Sequence, residues 1–380
     1  MKIPKTLELY RPPEKRKTPD TITIPLSVQR KIWTGVQIQK TLSILTELIS
    51  EEMISADIQA LCSFHTRHSK SPLINKVADW VKFRFCQMGY SGNLLDQHYT
   101  HDRYNLRNII ATKKGTGKPG EAILVCAHFD CRMEELENAK ARAPGADDNA
   151  SGVAAMLDIA RIVANVKVTE DVIFAAFSGE EQGFWGSTAY VQYVQDKNIN
   201  LQQVINLDTI GYAPGGRSIY VEQDMGNEVD SNDAPSQLFA AKMAQMAADY
   251  TDLSVSLGEI YESDYMPFEA RGYVCVGAYE GEENPFYHST NDSFDSLNTS
   301  FVAKVAKMAL VTVCHEALKL PDATTTDLFI RDNDSDTGNQ PSSSPHWRSP
   351  DIWVRNTLPE KRKCVESVHQ APIAGIPNYL

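Results

Sequence analysis

Six ionisable side chains stand out by the short strings that carry them. His128 falls in AHFD, Asp148 in PGADDNASG, and Glu180 and Glu181 in FSGEEQGFWGS. Asp208 falls in NLDTIGY and His288 in NPFYHSTND. Two imidazoles and three carboxylates (Asp148, Glu181, Asp208) suit a pair of Zn²⁺-like ions, and Glu180 is left over as a general base. That is the chemistry of metal-assisted hydrolysis.

Each string taken alone has a plainer reading. A strand-end His128 two residues before Asp130 could be a simple ion pair; in a metal site, Asp130 would instead accept the second ring N–H. The adjacent aspartates of ADDN could be helix caps. Both readings can hold together, with Asp147 or Asn149 structural and Asp148 the ligand. Two neighbouring glutamates do not ionise comfortably side by side without a cation. The apolar FAAFS and GFWGS around them argue against a solvated acidic turn. Asp208 ends an apolar strand, where an unpaired carboxylate is costly. His288 alone reads as a loop histidine, and His65, His68, His98, His101, His315, His346 and His369 have no ligand-like setting.

The elements that must position these residues follow from periodicity. Apolar runs at 107–113, 121–128, 171–178, 203–208, 218–222 and 273–279 read as strands. Helical spacing appears at 35–50, 73–88, 149–166, 187–196, 233–250 and 298–318, with Asn149 and Ser151 as cap-type residues. Alternation of the two predicts an α/β fold, three-layer α/β/α with a mostly parallel mixed central sheet. The runs at 121–128 and 171–178 do not alternate, as expected for strands covered on both faces. In such sheets ligands bind at the carboxyl ends of strands. His128, the Glu180–Glu181 pair and Asp208 all fall there.

The formal net charge is −12, which disfavours nucleic acid as a partner. Seven cysteines without a CxxC pair argue against a thiolate zinc site and a dense disulfide framework. Cys126, Cys275 and Cys314 lie in apolar runs and read as small buried hydrophobes. No window has the length of a transmembrane helix, and the first residues do not read as a signal peptide. The default expectation is therefore a cytoplasmic protein without a membrane partner. Three regions are expected: an extended arm at 1–34, a catalytic domain at 35–320, and an irregular tail at 321–380. The oligomeric state is not readable.

Taken together, the five strings in this order resemble the zinc aminopeptidases of the M28 (aminopeptidase Y-like) metallopeptidases. The resemblance runs from roughly residue 58 to 318 and includes TRHSKSP and NIIATKKG. It implies that His128 and Asp208 hold one Zn²⁺, that Glu181 and His288 hold a second, and that Asp148 bridges the two. It also implies that Glu180 is the general base, that Asp130 orients His128, and that the Asp148–Asn149 peptide is cis. The implied reaction is hydrolysis of the first peptide bond of a peptide with a free N-terminus.

The sequence departs from the family at 263–268, SDYMPF, where Tyr265 stands in place of a histidine. Tyr261, offset by one, is the nearest match for the tyrosine that serves the oxyanion in some members. Tyr261, Asp264 and Tyr265 are thus the pocket candidates. The tail string DLFIRDNDSDTGNQ resembles the opening strand of a β-sandwich module on secreted bacterial proteins, here too short to fold as one, which makes secretion the alternative location. Three other readings compete: a carboxypeptidase or dipeptidase of the same superfamily, for which no basic residue is evident; a glutaminyl cyclase, whose related site uses one zinc; and a non-catalytic domain on this fold.

Overall fold

Unbroken apolar runs build the centre of the molecule. The computed structural model describes residues 35–320, apart from 118–120, 227 and 261. The expected arm and tail, and Tyr261, lie outside the described residues.

The strands are β1 (Leu94–His101), β2 (Tyr104–Lys113), β3 (Glu121–His128), β4 (Asp171–Phe177), β5 (Asn200–Leu207), β6 (Ser218–Gln223), β7 (Ser254–Gly258) and β8 (Val274–Glu280). They form one eight-stranded sheet in the order β1-β2-β4-β3-β5-β8-β6-β7. The pairs β4·β3, β3·β5, β5·β8 and β6·β7 are parallel, and the other three are antiparallel. This is the mixed, mostly parallel sheet expected.

The helices are α1 (Gly35–Thr46), α2 (Glu51–Cys62), α3 (Ile74–Gln87), α4 (Gly152–Val163), α5 (Trp185–Asp196), α6 (Asp230–Tyr250), α7 (Met266–Glu269) and α8 (Thr299–Ala317). They divide between the faces of the sheet. Ile123, Val125 and Ala127 of β3 share a core with Ile58 of α2, Val77 of α3, Met156 of α4, Met243 of α6 and Val305 of α8. Leu124 and Cys126, pointing the other way, share a second core with Tyr190 and Val194 of α5 and Phe268 of α7. Period-2 alternation thus sends one strand's side chains into both outer layers. Every residue of β3 after Glu121 is buried, which is why its sequence does not alternate in polarity.

Four of these elements escaped the sequence reading: the four-residue α7, β1, β7 and α2. β1 is polar (LLDQHYTH) because it is an edge strand. It pairs with β2 through a tight turn in which Asp102 takes a left-handed conformation, φ 51°. β7 is likewise a short, largely exposed edge. Ser50 caps helix α2, its hydroxyl accepting from Met53 N, so the expected helix 35–50 ends at Thr46 and a second follows. The helix expected at 149–166 begins later, at Gly152, because Asp148 and Asn149 have non-helical backbone angles. Among the described residues no helix is long and apolar enough to cross a membrane.

Candidate metal centre

The carboxyl ends of three parallel neighbours, β4, β3 and β5, deliver most of the site. His128 is the last residue of β3, Glu180 and Glu181 follow β4, and Asp208 follows β5. Asp148 comes from the segment Ala146–Ser151, and His288 from the loop after β8, held at φ 53°. The six side chains singled out in the sequence meet in one place, at least nine-tenths shielded except for Glu180, whose side chain is 12% exposed.

The two aspartates of ADDN separate cleanly. Asp147 accepts from Gly211 N (2.6 Å) and Asn284 Nδ2 (2.6 Å), so it ties three loops together. Asp148 turns to the imidazoles instead: Oδ1 lies 3.3 Å from His128 Nε2 and Oδ2 lies 2.9 Å from His288 Nε2. Asp292 receives both backbone N–H groups, from Asp147 (2.8 Å) and Asp148 (3.2 Å). Asn149 donates to Leu207 O and accepts from Gly152 N, the first N–H of α4. The Asp148–Asn149 peptide is cis.

The donor atoms form two groups, His128 with Glu180 and Asp208, and Asp148 with Glu181 and His288. His128 Nε2 is 3.1 Å from Asp208 Oδ1, and His288 Nε2 is 3.1 Å from Glu181 Oε2. Tetrahedral Zn²⁺ with bonds of about 2.0–2.1 Å sets its ligand atoms about 3.3 Å apart, so these separations fit a shared ion. The orientations fit as well. His288 Nε2 is buried between two carboxylate oxygens yet makes a hydrogen bond with neither, and Glu181 Oε1 is also without a partner. Buried polar atoms left in this state need an explanation, and convergence on a cation supplies one. Glu180 falls in the first group, with Oε2 3.8 Å from His128 Nε2, where the family pattern has Asp148.

The electrostatics express the same shortage of positive charge. Burial, together with Asp208 and Glu181, pushes the Glu180 carboxyl well up, while burial and Asp148 raise Glu181 to about 7. Burial opposes ionisation of Asp148 too, but the two imidazoles overcome it and hold this carboxylate well below its usual range. Burial works against a charged His288, yet the adjacent Asp148 and Glu181 raise it to about 9.

Residues around these six side chains fix their arrangement. Asp130 Oδ1 is 3.6 Å from His128 Nδ1, beyond hydrogen-bond reach. Its carboxylate instead accepts from Ser69 Oγ (3.0 Å), Glu180 N (3.2 Å) and Glu181 N (3.4 Å), so it holds the glutamate loop against the end of β3. Arg67, fully buried, donates to the carbonyls of Phe129, Pro144 and Gly145 and thereby joins the His128 strand end to the Asp148 segment.

Sequence reasoning missed several neighbours. It looked to Asp264 and Tyr265, but the preceding Ser263 is the residue that donates to Asp208 Oδ2 (2.6 Å), and Asn206 Nδ2 donates to Ser263 Oγ (2.8 Å). Asp264 and Tyr265 are both fully buried. Tyr265 packs edge-on against Tyr279, and its hydroxyl accepts from Glu262 N. Tyr287, half-exposed, stacks on His288 with ring centroids 3.6 Å apart; its place directly before that histidine was the available signal. A basic residue also enters the site, against expectation: Arg132 Nε donates to Glu181 Oε2 at 2.8 Å. Nothing in CRMEE distinguishes it from a surface arginine.

The chain is similar to several known proteins. A probable zinc metalloprotease of Pyrenophora teres f. teres (strain 0-1) is 27% identical over 353 residues, covering 77% of this chain and 72% of that protein. The LapA aminopeptidase of Legionella pneumophila has a similar fold, with a TM-score of 0.65 at 21% identity over 78% of this chain and 79% of its own. LapB of the same organism gives 0.65 at 25% identity, over 76% of this chain and 78% of its own. The model of peptidase family M28 matches residues 108–313, a stretch that contains all six residues of the centre, and the chain is therefore a member of that family.

Proposed function

We propose that the protein is a zinc-dependent aminopeptidase that holds two Zn²⁺ ions and hydrolyses the N-terminal peptide bond of peptides. The observation that carries this reading is Asp148, whose two carboxylate oxygens each stand beside a different imidazole. His128 and Asp208 would complete one ion's ligands, and Glu181 and His288 the other's. When bound, such ions polarise the scissile carbonyl and acidify water.

The chain's own groups would do the rest. Glu180, on the glutamate loop anchored by Asp130, takes a proton from the attacking water and returns it to the leaving amine. Asp130 positions that loop and faces His128. Tyr287 donates its phenolic hydrogen to the developing oxyanion, the role for which Tyr261 is the nearest match to the family pattern. Asp264 and Tyr265 support the pocket wall from behind. The surplus of carboxylates suits a substrate ammonium group. The zinc in the name of the Pyrenophora relative and the aminopeptidase in the name of LapA support the same reading.

A panel of aminoacyl-arylamides and N-blocked peptides, with metal content measured alongside, tests it. Two zinc equivalents per chain, cleavage of free N-termini only, and loss of activity on chelation are expected. Turnover that survives prolonged chelation would overturn the reading.

A further inference from the structure

Arg132 is the one described lysine or arginine that hydrogen-bonds a carboxylate of the metal centre. Its guanidinium makes three hydrogen bonds, through two of its nitrogens. Nε donates to Glu181 Oε2 (2.8 Å), and Nη1 donates to Met133 O (3.2 Å) and Glu134 O (3.4 Å). Glu134 N in turn donates to His288 O (2.8 Å), so the loop that carries Arg132 is tied to the loop that carries His288. The Arg132 side chain is 22% exposed against 3% for Glu181, which puts the guanidinium on the rim and its partner inside. Among the described residues nothing accepts from Nη2.

A surface arginine serving only charge balance would not need three anchors. This one is pre-oriented, with spare N–H groups beside the place where peptide bonds are expected to be cut. A fixed guanidinium repels a substrate ammonium and attracts a carboxylate, and its planar fork matches carboxylate geometry. The polarity of the site is therefore uneven: the Glu181 side carries a fixed cation, whereas the Asp208 side carries none among the described residues.

We infer that Arg132 is a specificity-determining residue that receives a substrate carboxylate next to the scissile bond. The inference rests on the peptidase reading above. Two sources of that carboxylate lie within one residue of the bond, since consecutive Cα atoms are about 3.8 Å apart. One is the acidic side chain of the first residue, and the other is the C-terminal carboxylate of a dipeptide.

The test uses metal-loaded wild type, Arg132→Gln and Arg132→Lys with two substrate pairs. Glutamyl- against glutaminyl-arylamide probes the side chain, and Ala-Ala against Ala-Ala-amide probes the C-terminus. In one pair the wild type should favour the carboxylate in kcat/KM by about tenfold or more, the usual worth of a charge-assisted hydrogen bond. Arg132→Gln should bring that ratio near one, with Arg132→Lys between, at equal zinc content. A purely structural role would lower both members of a pair together and leave the ratio unchanged, which would overturn the inference. So would a wild type with no carboxylate preference in either pair. Calorimetric binding of the same four compounds to Glu180→Ala, with and without Arg132→Gln, gives a readout without turnover. A carboxylate preference that vanishes in the double variant supports the inference even if no peptide is cleaved, in which case only the peptidase reading falls; a preference that persists overturns the inference.

Discussion

At the carboxyl edge of β3, β4 and β5, Asp148, Glu181 and Asp208 are buried beside two imidazoles. Near one end of β6, Glu222, Asp224 and Glu269 are also buried, each at 0% exposure, but the charged groups that Glu222 feels most are those other two carboxylates. For Asp148 and Glu222 the outcomes are opposite. Burial penalises Asp148, yet His128 and His288 hold it ionised. Burial penalises Glu222, and Glu269 and Asp224 add to the penalty, so its carboxyl is pushed up to about 10 and keeps its proton. A buried acid does not make a metal site by itself. The partners decide whether it is an anion that can ligate or a neutral acid that only fills space.

Four substitutions would break or sharpen this contrast. Glu180→Ala should cost the most, lowering kcat by about 10²–10⁴-fold, the range for general acid–base catalysis, while zinc content stays near that of the wild type. Full turnover in that variant would remove Glu180 from the role assigned to it. Asp148→Asn comes next: it weakens the one carboxylate beside both imidazoles, and bound metal, followed by atomic absorption after dialysis, should fall substantially. Equal retention of zinc would separate Asp148 from the centre.

Ser263→Ala removes the 2.6 Å hydrogen bond to Asp208 Oδ2. Zinc affinity should drop by about 10–100-fold, the usual effect of losing an outer partner of a ligand. A chelator competition that shows no shift would leave Ser263 a packing residue. Glu222→Gln should have the smallest effect on activity, leaving zinc content and turnover near wild type.

The signature of Glu222 should be in stability. The folded carboxyl keeps its proton up to about pH 10, whereas the unfolded chain releases it near 4.5. Its contribution is therefore fully present below the unfolded value and is lost as pH rises between the two. Glu222→Gln should flatten that loss and stabilise the protein at pH 8, by an amount on the order of 1–3 kcal/mol. Denaturant melts at pH 5 and pH 8 would show it, and parallel shifts at both pH values would contradict the neutral-acid assignment.

Legibility in the sequence followed the same physics. β3 and β4 were readable because strands covered on both faces must be apolar throughout, whereas β1 and β7 were not, because exposed edges tolerate LLDQHYTH and SVSLG. The ligand candidates were readable because carboxylates and imidazoles at the ends of apolar strands are costly unless they have a task. Ser263, Tyr287 and Arg132 were not, since a serine, a tyrosine or an arginine in a polar loop costs nothing and so leaves no mark.

From composition and pattern alone came the α/β class, the six-residue set, and a division of ADDN in which Asp148 was the candidate ligand. Those follow from local rules: periodicity, the cost of a buried charge, and the donor types a metal accepts. Only the tertiary structure decided that Asp148 stands between both imidazoles, that Asp130 grips the glutamate loop through backbone N–H groups, and that a guanidinium sits against Glu181. Each of these joins segments that are distant in the chain. Which groups meet across such distances depends on how the strands are ordered in the sheet and how the loops leave its edge, and no local pattern carries that information.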